Sequence, residues 1–539
     1  MGVLAGTDRN ASSDTDLAGI LVSTVSPLVV GILLANVHRK AEDFAVGLPA
    51  IVLCADIAGF SVAGAALTRS GERGAEELRS IVGSVFDPVT RAIQAAGGQI
   101  LQFSGDAVTA AWPIGPDVTS QAACAIAAGL ALQDACRSLA VAGTAGLKLR
   151  VSVSEGPVWI AHLAEGEQTP QTVICGDVFG LFRDRTGFAE GVFLDNTLWK
   201  LVAEDLHDRT SVVSEAGGVR VVALNGVQPT PEPGPSANPD QAKIISGYVP
   251  GYLRDLLQGT LTDWLAEFRS SSILFARFEG FGFSGPADLP RLQTLAKAIG
   301  LAIDQHGGLR LKFATDEKGL ILMAAWGLQS RSFEDNAERA LSAAALVHQA
   351  AREVGLEASI GITGGKVFAG LIGSENHREY TVIGDAVNRA AALSSRAGGQ
   401  TRVDGQTRDS GGRRFQFADA GVLHLKGQDA ATHYVVTGEG LGQADQQGDM
   451  VGRAAERAQV DALVAQVRQG TAPGVVHILG DAGLGKSRLA GHLLACLAAA
   501  GIPALRMNAD SLRRTTGFYP WRQLVAAAAG TDMQARDLQ

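Results

Sequence analysis

The sequence predicts two α+β sandwiches in tandem, each an antiparallel sheet covered by helices, followed by part of an α/β unit. Three observations carry this. Residues 45–226 and 245–437 repeat one pattern of residues, block by block. Each repeat mixes strand and helix periodicities within one short span. Near the C-terminal end, an apolar run leads into a glycine-rich loop and then a helical pattern. The 539 residues suffice for roughly three or four domains of about 150 residues, each large enough to bury its own core.

The repeat holds its register. Ala92-Ile93, Gly97-Gly98, Phe103 and Asp106 recur as Ala302-Ile303, Gly307-Gly308, Phe313 and Asp316, each 210 positions on. Ala55-Asp56-Ile57-Ala58-Gly59-Phe60 is echoed by Ala276-Arg277-Phe278-Glu279-Gly280-Phe281 at an offset of 221, so the helical region between the blocks differs in length. Residues 50–55 and 272–276 read as apolar strands ending near Asp56 and Arg277. Leu78, Ile81, Val82, Val85, Val89 and Ile93 fall on one helical face, which Gly97-Gly98 stops. Residues 99–103 and 107–112 then read as two strands joined by a tight turn at Ser104-Gly105-Asp106.

Punctuation divides the chain. Residues 227–244 carry Pro229, Pro231, Pro233, Pro235 and Pro239, which predicts an extended spacer without helix or central strand. Residues 438–449, rich in Gly, Gln and Asp, read as a second linker, leaving a P-loop unit over 450–539. Residues 1–44 read as a helical N-terminal segment. Residues 17–37 hold no charge and are long enough to span a bilayer. Ser23, Thr24, Ser26 and Pro27 interrupt them, however, and Asp8, Asp14 and Asp16 precede them where a secretory signal needs basic residues. The expectation is a buried or docked helix and no membrane partner.

Composition excludes other classes. With 46% hydrophobic and 19% charged residues the chain is globular rather than disordered. A net charge of −9 leaves no basic excess for nucleic acid. Five scattered cysteines without a Cys-x-x-Cys pair fit reduced thiols and a cytoplasmic location.

Asp56 and Asp106 are the informative residues. Either alone would be an ordinary solvated carboxylate at a strand end or turn. Held together on adjacent strands, two carboxylates and nearby carbonyls make a hard-oxygen site for Mg²⁺ or Mn²⁺, completed by substrate phosphates. The blocks 55–60, Glu72-Arg73-Gly74-Ala75-Glu76-Glu77-Leu78 and Phe103-Ser104-Gly105-Asp106-Ala107 resemble the first catalytic module of class III nucleotidyl cyclases. Glu379-Tyr380-Thr381-Val382-Ile383-Gly384-Asp385-Ala386-Val387-Asn388 resembles the second, and the tandem arrangement is most similar to soluble, bicarbonate-regulated adenylyl cyclases and their bacterial relatives.

The resemblance implies two ferredoxin-like modules forming an intramolecular pseudo-dimer that converts ATP to 3′,5′-cyclic AMP and pyrophosphate. It implies two Mg²⁺ or Mn²⁺ ions on Asp56, Asp106 and the Ile57 carbonyl. Lys312 would read adenine N1, Thr381 would accept from the adenine amino group, Val382 would touch the ring, and Asn388 would orient the ribose. The pseudo-symmetric site would be dead, with Arg277 for the metal aspartate, Gln102 for the purine-reading lysine and Gly180 for the asparagine. Arg183 matches the arginine that couples that site to regulation by bicarbonate, but the accompanying lysine falls at Gln102. The transition-state arginine, four residues after Asn388, is here Ala392. That departure leaves a second reading open: a nucleotide-binding signalling pseudoenzyme of weak or no activity.

Residues 475–479 read as a strand before Gly480-Asp481-Ala482-Gly483-Leu484-Gly485-Lys486-Ser487, with a helix from Arg488. Gly480, Gly483 and Gly485 let backbone N–H groups face the β-phosphate of ATP. Lys486 reaches the β/γ-phosphates, and Ser487 ligates Mg²⁺. With Val451-Gly452-Arg453 upstream and Phe518-Tyr519-Pro520-Trp521 downstream, this resembles the start of a STAND/AAA-type signalling ATPase. Residues 504–507 are a candidate second strand. No apolar strand ending in paired acidic residues lies between Ser487 and Gln539, so the expectation is a truncated ATPase domain that does not hydrolyse ATP unaided.

Overall fold

The computed structural model describes residues 19–58, 72–105, 107–138, 148–164, 170–182, 189–227, 238–259, 267–328, 331–333, 335–374, 377–411, 414–423, 430–439, 453–471, 474–478, 486–502 and 504. The chain divides into two units, residues 1–443 and 444–539.

The first unit is built on two sheets. The strands of the first are β1 (Phe44–Ala58), β2 (Gln99–Ser104), β3 (Ala107–Pro113), β4 (Lys148–Leu163), β5 (Gln171–Cys175), β6 (Val192–Asp195), β7 (Thr210–Glu215) and β8 (Gly218–Leu224). The second holds β9 (Glu267–Glu279), β10 (Leu309–Asp316), β11 (Gly319–Trp326), β12 (Glu357–Ser374), β13 (His377–Ile383), β14 (Thr401–Asp404), β15 (Phe415–Leu423) and β16 (Ala431–Glu439). The orders are β2-β3-β1-β4-β6-β8-β7 with β5 on β4, and β10-β11-β9-β12-β14-β16-β15 with β13 on β12. Adding eight to each strand of the first order gives the second, and both place one parallel pair at the same step, β4–β6 and β12–β14. The repeat in the sequence is therefore a repeat of fold.

The paired glycines explain part of the repeated pattern. Helix Glu72–Ala95 ends at Gly97, whose φ of +74° is a left-handed stop; helix Leu289–Gln305 ends likewise at Gly307 with φ +70°. A Cβ on the next residue would lie 2.4 Å from the Trp112 ring at Gly98 and 2.6 Å from the Trp326 ring at Gly308. Those rings turn back to hydrogen-bond Ala96 O at 2.8 Å and His306 O at 2.9 Å through their indole N–H. The Gly-Gly pair stops the helix and leaves room for the tryptophan of the hairpin that follows.

The charge-free N-terminal stretch is used as core. Helix Pro27–Ala35 is apolar on every side and buries Leu28, Val29, Val30, Ile32 and Leu33, in one cluster with Val52, Leu101, Val158 and Ile160. Ser26 Oγ donates to Ile100 O at 2.6 Å and fixes the helix start on β2. Among the described residues, no helix is long and apolar enough to cross a membrane.

The proline-rich spacer needs correction at its end. Residues 239–244 are not extended: helix Pro239–Ser246 starts there, with Asn238 in a capping box with Gln241 and Pro239 in the first turn. Pro has no N–H to lose at that position and its φ is already helical, so proline begins this helix instead of forbidding it. Residues 228–237 lie outside the described residues. The second linker also starts later than expected, because β16 runs to Glu439.

The two sheets share their cores. Phe368, Ile372 and Ile383, from β12 and β13, are buried in the cluster of Val85, Phe86 and Val89 beneath the first sheet. Ala161, Leu163, Val173 and Cys175, from β4 and β5, are buried in the cluster of Leu292, Leu295 and Ile299 beneath the second. Each module thus inserts the same two strands into the other.

In the second unit, helices Ala454–Arg468 and Lys486–Ala499 pack together. Residues 474–478 form no strand, contrary to expectation. Val475 is 83% exposed, and no strand is paired with it among the described residues. Residues 505–507 of the candidate second strand lie outside the described residues.

Two predictions follow from these contacts. Phe368→Ala removes a fully buried ring between the modules and is expected to cost about 3–5 kcal/mol in urea unfolding. His162 is fully buried, stacked on Phe44 at 4.6 Å; its Nδ1–H donates to Glu42 O at 3.1 Å and its Nε2 accepts from Tyr248 Oη at 3.2 Å. Burial holds the ring below its ordinary pKa of 6.5, with Glu42 O and Asp43 opposing. The unfolded chain therefore takes up this proton first, so the His162 contribution is complete above about pH 6.5 and shrinks as pH falls below it. Thermal melts of His162→Phe should show a shallower acid-side decline than the parent.

Candidate active site

Asp56 lies two residues before the end of β1, opposite Ala107 on β3 and Arg150 on β4. Arg150 Nη2 donates to Asp56 Oδ2 at 2.7 Å, and both side chains are about one-quarter exposed, at 23% and 26%. The pair is wet enough to be reached by a ligand. Ile57 is opposite Leu149 in the same ladder. Asp106 lies outside the described residues, and its chain neighbours are Gly105, with φ +66°, and Ala107.

The second module meets this hairpin from across the interface. Lys312 stands on β10 just after a break in the β10–β11 register between Arg310 and Lys312. Its Nζ donates to Phe103 O and, at 2.9 Å, to Ser104 Oγ. Glu379 Oε1 accepts the Phe103 N–H at 2.9 Å, and His377 Nε2 lies 3.8 Å from the same oxygen. The His377 ring also stacks on Phe103 at 5.6 Å. Burial pulls the Lys312 ammonium below its ordinary pKa, against the pull of Glu379 and Asp316. Burial pushes the Glu379 carboxyl up, yet Lys312, His377 and the Phe103 N–H together hold it below the usual carboxylate range. Lys312 is a half-buried, bonded residue rather than a solvated strand-edge lysine.

Thr381 and Val382 follow on β13, both buried, opposite Gly370 and Ala369 of β12. Asn388 is half-buried on helix Asp385–Ser394, one turn after Gly384, whose carbonyl accepts its N–H at 3.3 Å. Ala392 is one turn further along. The neighbouring arginines on that segment are engaged elsewhere: Arg389 with Gly364 O at 3.1 Å and Asp404 at 3.6 Å, Arg396 with Ala392 O at 3.2 Å.

The hairpin after Lys312 adds two acids. Burial raises the Asp316 carboxyl pKa, although Asp316 Oδ1 accepts the Lys318 N–H at 2.7 Å. Glu317 is raised by burial and by the negative charges of Asp316 and Asp56, with Lys318 and Arg150 opposing. The Asp56–Arg150 pair therefore interacts with the second module's hairpin as well as with its own.

At the pseudo-symmetric positions the chemistry differs. Gln102, 3% exposed, donates Nε2 to Thr315 O at 2.9 Å and ties β2 to β10. Arg277 Nη2 donates to Lys318 O at 3.2 Å. Gly180 lies in the turn Asp177–Phe182 and offers no side chain. Arg183, Gly480, Gly483 and Gly485 lie outside the described residues. Lys486 and Ser487 are the first two residues of helix Lys486–Ala499.

Sequence reasoning missed Arg150 and gave Glu379 no role. Arg150 had a signal, a lone cation within Leu149-Arg150-Val151-Ser152-Val153, a strand whose Leu149, Val151 and Val153 are buried. Glu379 had none, because its partner is a backbone N–H 276 residues away.

Residues 286–438 match the adenylate and guanylate cyclase catalytic domain, and residues 449–538 match an AAA ATPase domain. The chain is similar to adenylate cyclase type 10 of Oryctolagus cuniculus, at 24% identity over 404 residues that cover 66% of this chain and 24% of that protein. The Homo sapiens protein of that name is 23% identical over 382 residues, covering 64% and 23%. The chain spans about a quarter of the length of these curated relatives. Among solved structures, the adenylyl cyclase CyaB from P. aeruginosa is 20% identical with a TM-score of 0.31, covering 33% of this chain and 98% of that one. A class III adenylyl cyclase-like ATP-binding protein from Pseudomonas aeruginosa is 12% identical with a TM-score of 0.49, covering 76% and 94%. Two modules of one repeated fold, the second matched by the cyclase domain, and an ATPase match after them give this chain a tandem cyclase architecture followed by an AAA-type ATPase domain.

Proposed function

We propose that the chain is an adenylate cyclase, converting ATP to 3′,5′-cyclic AMP and pyrophosphate at one site between its two modules. The observation that carries this is the bonding of Lys312 and Glu379, from the second module, to Phe103 and Ser104, the residues before Gly105 in the first. Lys312, the purine-reading candidate, is thereby bonded to the segment that precedes the carboxylate candidate Asp106 in the chain.

Asp56, Asp106 and the Ile57 carbonyl are all hard oxygen donors, so the set suits Mg²⁺ or Mn²⁺. Such ions supply charge neutralisation for the triphosphate and acidify the ribose 3′-hydroxyl. The chain's own residues do the positioning. Lys312 offers an N–H to adenine N1, Thr381 accepts from the amino group, Val382 walls the ring, and Asn388 holds the ribose so that its 3′-oxygen faces the α-phosphate. Arg150 adds a fixed cation beside the polyphosphate. The opposite site does not turn over, because Arg277 repels a metal and Gln102 closes the purine position with its bond to Thr315. ATP–Mg²⁺ at Lys486 and Ser487 is the corresponding reading for the ATPase domain. Bicarbonate control is not part of this proposal, since Gln102 stands at the position of its lysine.

Ala392 favours a second reading, a nucleotide sensor without turnover, because Arg389 and Arg396 are held by other partners. Cyclic AMP formation by the full chain with Mg²⁺ and then Mn²⁺ separates the two. A cyclase loses about a hundredfold or more on Asp106→Ala and gains rate on Ala392→Arg. No turnover in either form, with ATP still bound, selects the sensor. ATP turnover exceeding GTP turnover, with the preference reduced by Lys312→Ala, supports the purine assignment; a GTP preference contradicts it.

Glu317→Gln isolates the electrostatics of the hairpin. The raised Glu317 pKa means that the folded chain holds this proton more tightly, so its contribution to stability falls as pH rises above the ordinary glutamate value of 4.5. The variant is expected to melt higher than the parent at neutral pH, with the gap closing toward pH 4.5.

A further inference from the structure

In the second unit, three side chains converge. Asp461 is on helix Ala454–Arg468; His492 and Cys496 are four residues apart on helix Lys486–Ala499 and so share one face. His492 Nε2 lies 3.4 Å from Asp461 Oδ1, Cys496 Sγ lies 3.5 Å from the same oxygen, and Sγ lies 3.6 Å from the same Nε2. A proton relay does not account for this. In a relay the carboxylate and the nucleophile take opposite ring nitrogens, whereas here both face Nε2. One ring nitrogen cannot donate to the carboxylate and accept from the thiol at once.

The triangle is that of three ligands on a tetrahedral ion. Zinc bonds of about 2.0–2.1 Å to nitrogen, about 2.3 Å to sulfur and about 2.0–2.2 Å to oxygen, at tetrahedral angles, separate N from O by about 3.3 Å, S from O by about 3.5 Å and N from S by about 3.6 Å. A thiolate with an imidazole selects zinc over the hard cations expected at a phosphate site. His492 is 21% exposed and Asp461 60%, so the ligands are reachable and solvent can supply a fourth.

We propose that Asp461, His492 and Cys496 bind a zinc ion that joins the two helices, with water as the fourth ligand. Helix Lys486–Ala499 begins with the lysine and serine of the glycine-loop motif, so the ion would tie the phosphate-binding helix to its neighbour. The site is independent of the cyclase reaction.

The test is titration of the metal-free full-length chain with Co²⁺, then Zn²⁺. One equivalent of cobalt should give the visible d–d absorption of a tetrahedral ion and a thiolate charge-transfer band, both bleached by zinc. Cys496→Ser should remove the charge-transfer band. Asp461→Asn should weaken zinc binding by at least about tenfold, with circular dichroism showing the fold retained. A weak octahedral spectrum, or tetrahedral bands that persist in the Cys496→Ser/His492→Ala double variant, overturns the proposal.

Discussion

Everything else in the first unit depends on the exchange of two strands between its modules. The far end of β4 with β5 is buried under the second sheet, and the equivalent end of β12 with β13 is buried under the first. Leu163, Val173, Phe368, Ile372 and Ile383 are large side chains buried this way. At about 1.5–3 kcal/mol each, their gross contribution is on the order of 10 kcal/mol, as large as the net stability of a typical domain. Separating the modules would expose these residues in both cores at once. The interface is therefore a core shared by two sheets, and a site built across it inherits that rigidity.

Duplication gave the unit a symmetric frame, and substitution made it asymmetric. At one end the frame carries Asp56 with Arg150, and Lys312 with Glu379 beside the hairpin of the other module. At the other end the equivalent positions hold Arg277 and Gln102, each donating to a backbone carbonyl of the hairpin 315–318. At the first end a carboxylate oxygen donor remains about one-quarter exposed beside its arginine. A buried glutamine bonded across the interface closes the space instead, since its amide would lose that bond to admit a ligand.

The repeat was legible in the sequence because backbone geometry enforces it. Gly97-Gly98 and Gly307-Gly308 must be glycine where a left-handed stop is followed by close approach of a tryptophan ring. The strands that hold Asp56 and Lys312 were legible through the same repeated pattern. Other features were hidden for physical reasons. Arg150 and Glu379 act through partners distant in sequence. The spacer reads as extended because five prolines suggest it, yet the last of them, Pro239, is followed by a capped helix whose signal is Asn238 with Gln241. The run at 475–479 has strand composition but no partner strand among the described residues, and apolar composition alone does not make a ladder.

The most direct measurement of the central claim, one asymmetric nucleotide site in a shared core, is the stoichiometry of binding. Calorimetric titration of the full-length Lys486→Ala variant with a non-cyclisable ATP analogue and Mn²⁺ removes the glycine-loop site from the count. One analogue bound per chain, weakened by Lys312→Ala and unchanged by Gln102→Ala, is the result the account predicts. Two equivalents per chain, or one equivalent insensitive to Lys312, would contradict it.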